Sequence, residues 1–224
     1  MRSNSHKRQE FQGYVCITQD RKFQEKQEGE INYFIEGALL MLNNYKFSDK
    51  EIADLLNSAI ILIDTREKDT FQKRLFNEYC ASCFIKTENM KLPFGDYGVK
   101  VPKNEQLGIM RDVYFPFAVE RKANLDELCV NFSSKDRNRF LNEFAKAKAS
   151  GFDIHVVVES NDYHDLVTGN YRSQFHANTL EANIWAVQAK YDVRFSYVKD
   201  PNDAPRFIIN CLLSQLRAEL KKWY

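Results

Sequence analysis

Short apolar runs alternate along this chain with stretches that are apolar at helical spacing. The two clearest runs, at residues 60–63 and 154–158, are rich in β-branched residues and predict strands buried on both faces. Further strands are predicted at residues 82–87, 94–101, 113–121 and 193–198. Helices are predicted at residues 67–80, 125–130, 135–149, 179–190 and 201–223. This alternation of strands and helices predicts an α/β fold, an open sheet with helices on both faces.

The first part of the chain has a different pattern. Residues 1–30 are polar and mixed in charge, while residues 31–42 have apolar positions at helical spacing. Ser48 and Glu51 have the spacing of a capping box, and the residues behind them predict a second helix with one apolar face. We therefore divide the chain into an N-terminal arm and helical appendage, residues 1–57, and a main domain, residues 58–224.

Charge and cysteine content narrow the classes of function. The chain has 32 Lys and Arg against 31 Asp and Glu, so a nucleic-acid partner would need a local basic patch. No apolar run approaches the length of a membrane span and the start has no apolar signal core, which predicts a cytoplasmic protein without a membrane partner. Cys80 and Cys83 form a CxxC without a second ligand pair at zinc spacing, which favours ordinary reduced thiols.

Three acidic motifs fall at or near predicted strands. Asp64-Thr65-Arg66-Glu67 directly follows the first apolar run, at the carboxyl end of a strand, where α/β folds place their sites. The same spacing is equally that of a helix capping box. Gly95-Asp96 interrupts a strand-like segment, where a glycine marks either a close backbone approach or a simple turn.

The third motif is Glu120-Arg121-Lys122, at the end of a predicted strand. Because strand residues alternate, Glu120 and Lys122 project from one face and Arg121 from the other. A carboxylate beside an ammonium suits phosphodiester hydrolysis, in which carboxylates hold a divalent cation and the lysine orients water or offsets charge. The alternative is an ordinary ion pair on the strand surface.

Taken together, the order of these motifs resembles the nuclease domain of the XPF family. The motifs are, in order, Ile-Asp-Thr-Arg-Glu, Gly-Asp-Tyr and Val-Glu-Arg-Lys, the last followed by Leu-Asp-Glu-Leu. That family belongs to the PD-(D/E)xK superfamily, and the resemblance covers about residues 60–224. It extends to the short standalone forms in bacterial viruses and mobile elements, and it implies a restriction-endonuclease-like mixed sheet flanked by helices. It also implies a metal-dependent endonuclease that hydrolyses branched or structured DNA in repair, recombination or phage DNA metabolism, in the cytoplasm of a bacterial or phage-infected cell.

The resemblance assigns roles residue by residue. Asp96 and Glu120 become ligands of Mg²⁺ or Mn²⁺, with Asp64 completing the acidic pocket, and Lys122 becomes the water-orienting base or charge partner. The residues that would shape the site or stand behind it are Arg66, Glu67, Arg121 and Asp126. No small-molecule cofactor is implied.

Two interactions remain to be placed. DNA contacts are predicted at Lys135, Arg137 and Arg139, although a solvated helix face with an Arg139–Glu143 pair fits the same pattern. The last helix has more apolar positions than one face needs, which predicts either a homodimer or burial between the sheet and the appendage.

Two other functions stay open: a nuclease resembling Holliday-junction resolvases, and a non-catalytic protein that binds DNA or a partner.

Overall fold

The computed structural model describes residues 46–66, 70–133 and 135–221. Within them, seven strands form one mixed sheet in the order β2-β1-β3-β5-β6-β7, with β4 paired to β3. The strands are β1 (Ile60–Asp64), β2 (Lys86–Met90), β3 (Tyr97–Val101), β4 (Val113–Tyr114), β5 (Phe117–Lys122), β6 (Asp153–Glu159) and β7 (Arg194–Val198). β1 runs parallel to β2, and β5, β6 and β7 are parallel to one another. β3 lies antiparallel between β1 and β5, which gives the mixed sheet that the resemblance implied.

Helices cover both faces of the sheet, as the alternating pattern predicted. They are α1 (Asp49–Ser58), α2 (Phe71–Ser82), α3 (Leu125–Phe132), α4 (Arg137–Ala149), α5 (Tyr163–Thr168), α6 (Ala177–Tyr191) and α7 (Ala204–Lys221). Apolar residues of α1, α2 and α7 pack on one side of the sheet, which we call the α7 face. Apolar residues of α3, α4, α5 and α6 pack on the other side, the α4 face. The sequence pattern did not predict α5.

Several local predictions are confirmed. Ser48 and Glu51 form the reciprocal capping box at the start of α1. Gly151 follows α4 with φ 68°, the left-handed conformation that glycine adopts readily after a helix. The strand predicted at residues 82–87 is shifted, because α2 continues to Ser82 and β2 begins only at Lys86.

The last helix is buried on two sides. α7 packs on β3 and β5 and also contacts α1 and α2, and Ile52 and Leu55 of α1 lie in the same apolar cluster as Leu212 and Leu216 of α7. This packing supplies a partner within the chain for the second apolar face of the helix. The homodimer and the domain boundary at residue 57 stay predictions, and the arm and the helix predicted at residues 31–42 lie outside the described residues. No helix in the described part of the chain is both long and apolar enough to cross a membrane.

Candidate active site

The strand register brings the three acidic motifs to one edge of the sheet. Tyr97 at the start of β3 pairs with both Ile63 of β1 and Val119 of β5. Asp64, Asp96 and Glu120 are each one residue beyond these paired positions, so their backbones lie side by side at the same level. The Asp64 N–H donates to the Asp96 carbonyl at 2.8 Å, and the Asp96 N–H donates to the Val119 carbonyl at 2.9 Å.

Gly95 makes this close approach possible. Its φ is 68°, and a Cβ atom built there would lie 2.9 Å from the Ala118 Cβ and 3.0 Å from the Val119 carbonyl oxygen. Any other residue would therefore push Asp96 away from β5 or strain the turn. The glycine marks a close backbone approach, one of the two interpretations that the sequence left open.

Asp64 is bound to its own turn. Its Oδ1 accepts hydrogen bonds from the Arg66 backbone N–H at 2.6 Å and from Arg66 Nε at 2.9 Å, and its Oδ2 accepts from the Leu92 N–H at 3.0 Å. Burial alone would raise the pKa of Asp64, but these hydrogen bonds hold it below its usual value. α2 begins only at Phe71, with Thr70 as its N-cap. The capping alternative for Asp64 is therefore wrong, and Asp64 instead fixes the guanidinium of Arg66.

Glu120 and Lys122 project from the α4 face, on the same side of the sheet as Ala118. The Lys122 Nζ donates to Glu120 Oε1 at 2.7 Å, and it lies 3.7 Å from Glu127 Oε1 and 5.4 Å from the centre of the Phe140 ring. Burial alone would lower the pKa of Lys122, but the Glu120 and Glu127 carboxylates raise it above its usual value. The buried ammonium is therefore a fixed positive charge at the sheet edge.

The family of the chain follows from a comparison with known proteins. The family model of the ERCC4 domain matches residues 63–211, more than half of the chain. The chain belongs to the ERCC4 domain family. These are the XPF-type nuclease domains that the motifs resemble. The match begins near the end of β1 and ends in α7, so it includes strands β2 to β7 and all three acidic motifs.

Two similar solved structures are XPF from Aeropyrum pernix and the same protein in complex with DNA. Their sequence identities to this chain are 20% and 18%, and both TM-scores are 0.47. The match covers 70% of this chain in both cases, and 61% and 64% of the archaeal chains. No curated protein matches the chain.

Two other predicted site residues of this ERCC4 domain, Arg121 and Asp126, have side-chain partners other than Glu120 and Lys122. The Arg121 side chain is on the α7 face, where its Nη1 donates to the buried Glu159 at 3.3 Å, while its backbone N–H donates to Asp96 Oδ2 at 2.7 Å. Asp126 accepts from the Ser173 N–H at 2.7 Å, so it is bound to the loop before α6. Glu67 lies outside the described residues.

The basic residues predicted to contact DNA lie at the start of α4. Lys135 is exposed immediately before the helix, and the side chain of Arg139 is 80% exposed and 3.5 Å from Asp136. Arg137 is less accessible, because its Nη1 donates to Asn183 Oδ1 on α6 at 2.8 Å. α4 also provides Phe140, which contacts Lys122, so these basic residues border the acidic edge.

Glu143 is an acidic neighbour that the sequence did not single out for the site. The residue is exposed, but its carboxyl is near enough to Glu120, Lys122 and Arg66 to interact with them electrostatically, and burial together with Glu120 raises its pKa. The sequence suggested a pair with Arg139 four residues earlier. Its proximity to Glu120 depends on where α4 packs, which helical spacing does not report.

The residues at this edge fit a magnesium ion that keeps several water ligands. Among the described residues, no three His, Cys, Asp or Glu side chains are grouped so that they could hold a metal by themselves. Asp96 and Glu120 nevertheless follow neighbouring backbone positions at this edge, and both carboxylates act on the Lys122 ammonium. Mg²⁺ commonly binds one or two carboxylates together with water and substrate phosphates. The chemistry of these donors therefore suits a hard divalent cation.

Proposed function

We propose that this protein is a metal-dependent DNA endonuclease that hydrolyses phosphodiester bonds. The observation that carries the proposal is the convergence of Asp96, Glu120 and Lys122 at one sheet edge within an ERCC4 domain. Two carboxylates and an ammonium in this arrangement match the needs of phosphodiester hydrolysis, a cation site and a positive charge beside the reacting phosphate.

A divalent cation held by Asp96 and Glu120 would polarise the scissile phosphate and offset its charge. The chain's own residues then orient the reaction. Lys122, a buried ammonium in hydrogen-bond contact with Glu120, is placed to position the attacking water and to offset the developing phosphorane charge. Arg66, fixed by Asp64 and 55% exposed, is placed to contact a phosphate oxygen.

The substrate class we propose is branched or structured DNA, processed in repair, recombination or phage DNA metabolism. Membership of the XPF-type family supports DNA as the polymer. The exposed Lys135 and Arg139 support a strand path past the start of α4 toward the acidic edge.

The test is a panel of labelled duplex, flap, fork and four-way junction DNAs incubated with Mg²⁺, Mn²⁺ or EDTA. We expect cleavage with either cation, none with EDTA, and a preference for a branched substrate. Cleavage that persists in EDTA would contradict the metal mechanism. Cleavage of four-way junctions alone would favour the resolvase-like alternative, and binding without cleavage in any condition would favour the non-catalytic one.

We also propose that the protein pairs with a second copy through the region of α7. Phe207, Cys211 and Leu213 of this helix are only partly buried and remain at its margin. Light scattering at micromolar concentration tests this proposal. A mass near 26.3 kDa that does not rise with concentration would show that α1 and α2 satisfy the helix within one chain.

A further inference from the structure

The ammonium of Lys122 has two carboxylate neighbours at unequal distances. Glu120 Oε1 is in direct hydrogen-bond contact at 2.7 Å, whereas Glu127 Oε1 lies 3.7 Å away. The remaining acidic groups that influence this ammonium are Asp96 and Glu143. Because the side chain is almost completely buried, the charge needs a carboxylate partner from the protein at all times.

Glu127 is held in place independently of Lys122. Its Oε2 accepts from the Ala123 N–H at 2.8 Å, and its own N–H donates to Asn124 Oδ1 at 2.9 Å, which completes the cap of α3. This leaves Oε1 directed toward Lys122. Asp126, one residue earlier, is directed elsewhere, since it accepts from the Ser173 N–H and lies 3.4 Å from Arg172 Nε.

A cation at Glu120 changes this balance. A divalent cation and the Lys122 ammonium are both positive, so a cation held by Glu120 would weaken the contact at 2.7 Å. Glu127 is the carboxylate nearest to the ammonium after Glu120 in the described part of the chain, and only a small movement separates them from direct contact.

We propose that Glu127 positions Lys122 by receiving its ammonium when Glu120 engages a divalent cation. This inference rests on the proposed metal-dependent function. It assigns Glu127 two simultaneous contacts, one oxygen for the cap of α3 and the other for the ammonium.

The experiment measures Mn²⁺ binding to the DNA-free full chain by electron paramagnetic resonance. Glu127→Gln keeps an oxygen for the Ala123 N–H but removes the charge, and the dissociation constant for Mn²⁺ should rise about fivefold to tenfold, in the range of pairwise couplings between contacting residues. Asp126→Asn is the matched control, one charge removed from the same helix turn, and should change it less than about twofold.

A second variant separates position from charge. Glu127→Asp keeps the charge, and an aspartate at the same helix position can still cap by accepting from the N-cap residue three positions earlier, as Asp165 does from the Asp162 N–H at 2.9 Å in α5. Its side chain is one methylene shorter, which moves the carboxylate back from the 3.7 Å that separates Glu127 Oε1 from the Lys122 Nζ, so Mn²⁺ binding should weaken as in Glu127→Gln. Binding equal to that of the unaltered protein would show that only net charge matters, and would overturn the inference.

A double-mutant cycle with Lys122→Met tests whether Glu127 affects Mn²⁺ binding through Lys122 or by direct attraction of the cation. If Glu127 acts through Lys122, then Glu127→Gln should leave Mn²⁺ binding unchanged in the Lys122→Met background. A loss of the same size in both backgrounds means direct attraction of the cation, and the inference fails while the proposed function stands. If neither the unaltered protein nor Lys122→Met binds Mn²⁺, the proposed function fails first, and the inference falls with it.

Discussion

Two buried lysines, Lys100 and Lys122, stand at opposite ends of the sheet in similar surroundings. Each has two carboxylates nearby, and the Nζ of each lies within about 5.5 Å of the centre of an aromatic ring. Lys100 lies 2.6 Å from Glu88 and 2.8 Å from Asp112, with its Nζ 5.5 Å from the centre of the Tyr114 ring. Lys122 has Glu120 at 2.7 Å, Glu127 at 3.7 Å and the Phe140 ring at 5.4 Å.

The two clusters differ in what else surrounds them. Around Lys100 both carboxylates are in direct contact with the ammonium, and Asp112 also accepts from the Lys103 N–H at 3.0 Å, so the cluster is complete without a ligand. At the Lys122 end, Asp96 and Glu143 add to Glu120 and Glu127, and negative charge exceeds the buried positive charge. Carboxylates that crowd together raise one another's pKa unless a cation compensates. The Lys100 cluster therefore has its charges paired within the protein, whereas the Lys122 cluster has an excess of carboxylates, as expected for the proposed cation site.

The largest effect is expected from removing one charge at the acidic edge. Asp96→Asn and Glu120→Gln keep the side-chain shape but weaken the cation site, so DNA cleavage should fall by about a thousandfold or more, as for loss of a group essential to the chemistry. Circular dichroism and the melting temperature should remain close to those of the unaltered protein. Glu120→Gln with most of its cleavage activity intact would show that the family's metal ligands do not carry over to this chain.

Replacing one lysine or the other should have different consequences, a loss of cleavage rate for Lys122 and a loss of stability for Lys100. Lys122→Ala should lower the single-turnover rate by about a hundredfold with only a small loss of DNA affinity, since one phosphate contact among many contributes little to binding. Lys100→Met should instead lower the free energy of unfolding by about 2 kcal/mol, a figure reduced from that of a fully buried pair because Glu88 and Asp112 are partly exposed. A Lys122→Ala variant that loses affinity as steeply as rate would make Lys122 a binding residue.

Much of the sheet could be predicted from the sequence because strand residues alternate. The run at residues 60–63 and the alternation of Glu120, Arg121 and Lys122 depend only on local geometry, and the structure confirms the faces on which they lie. The role of Gly95 could also be predicted from local geometry. Only glycine accommodates the turn that brings Asp96 against β5.

The parts that could not be predicted depend on packing between distant segments. Asp64 has the spacing of a helix cap, and only the start of α2 at Phe71 shows that it serves the Arg66 turn. The local sequence also could not show which of Asp126 and Glu127 faces Lys122. Adjacent residues in the first turn of α3 point in directions about 100° apart, so the answer depends on how the helix packs. Asp126 meets the loop before α6, and Glu127 meets Lys122.

A smaller effect should appear in the pH dependence of stability at the Lys100 end. The Lys100 ammonium holds the pKa of Asp112 below its usual value, so this carboxylate stabilises the fold above its unfolded pKa of about 4, and the contribution is lost as pH falls through the lower folded value. Asp112→Asn should remove about 1 kcal/mol at neutral pH, after allowance for solvent screening, and less as the pH falls below about 4. Urea unfolding at pH 7 and pH 3 measures it, and an equal loss at both values would mean that packing, not charge, stabilises the site.

The smallest effect is expected from single basic residues on the proposed DNA path. Lys135→Ala and Arg139→Ala should each weaken DNA binding about threefold and reduce the slope of log affinity against log salt by about one, because each removes one phosphate contact. Lys103→Ala is the matched control, since this half-exposed lysine lies near the Lys100 cluster at the far end of the sheet and pairs with Glu105. Fluorescence anisotropy across a salt series measures all three variants. If Lys103→Ala changed the slope as much as Arg139→Ala, DNA affinity would depend on the overall charge of the protein. DNA binding would then not distinguish the Lys122 end of the sheet from the Lys100 end.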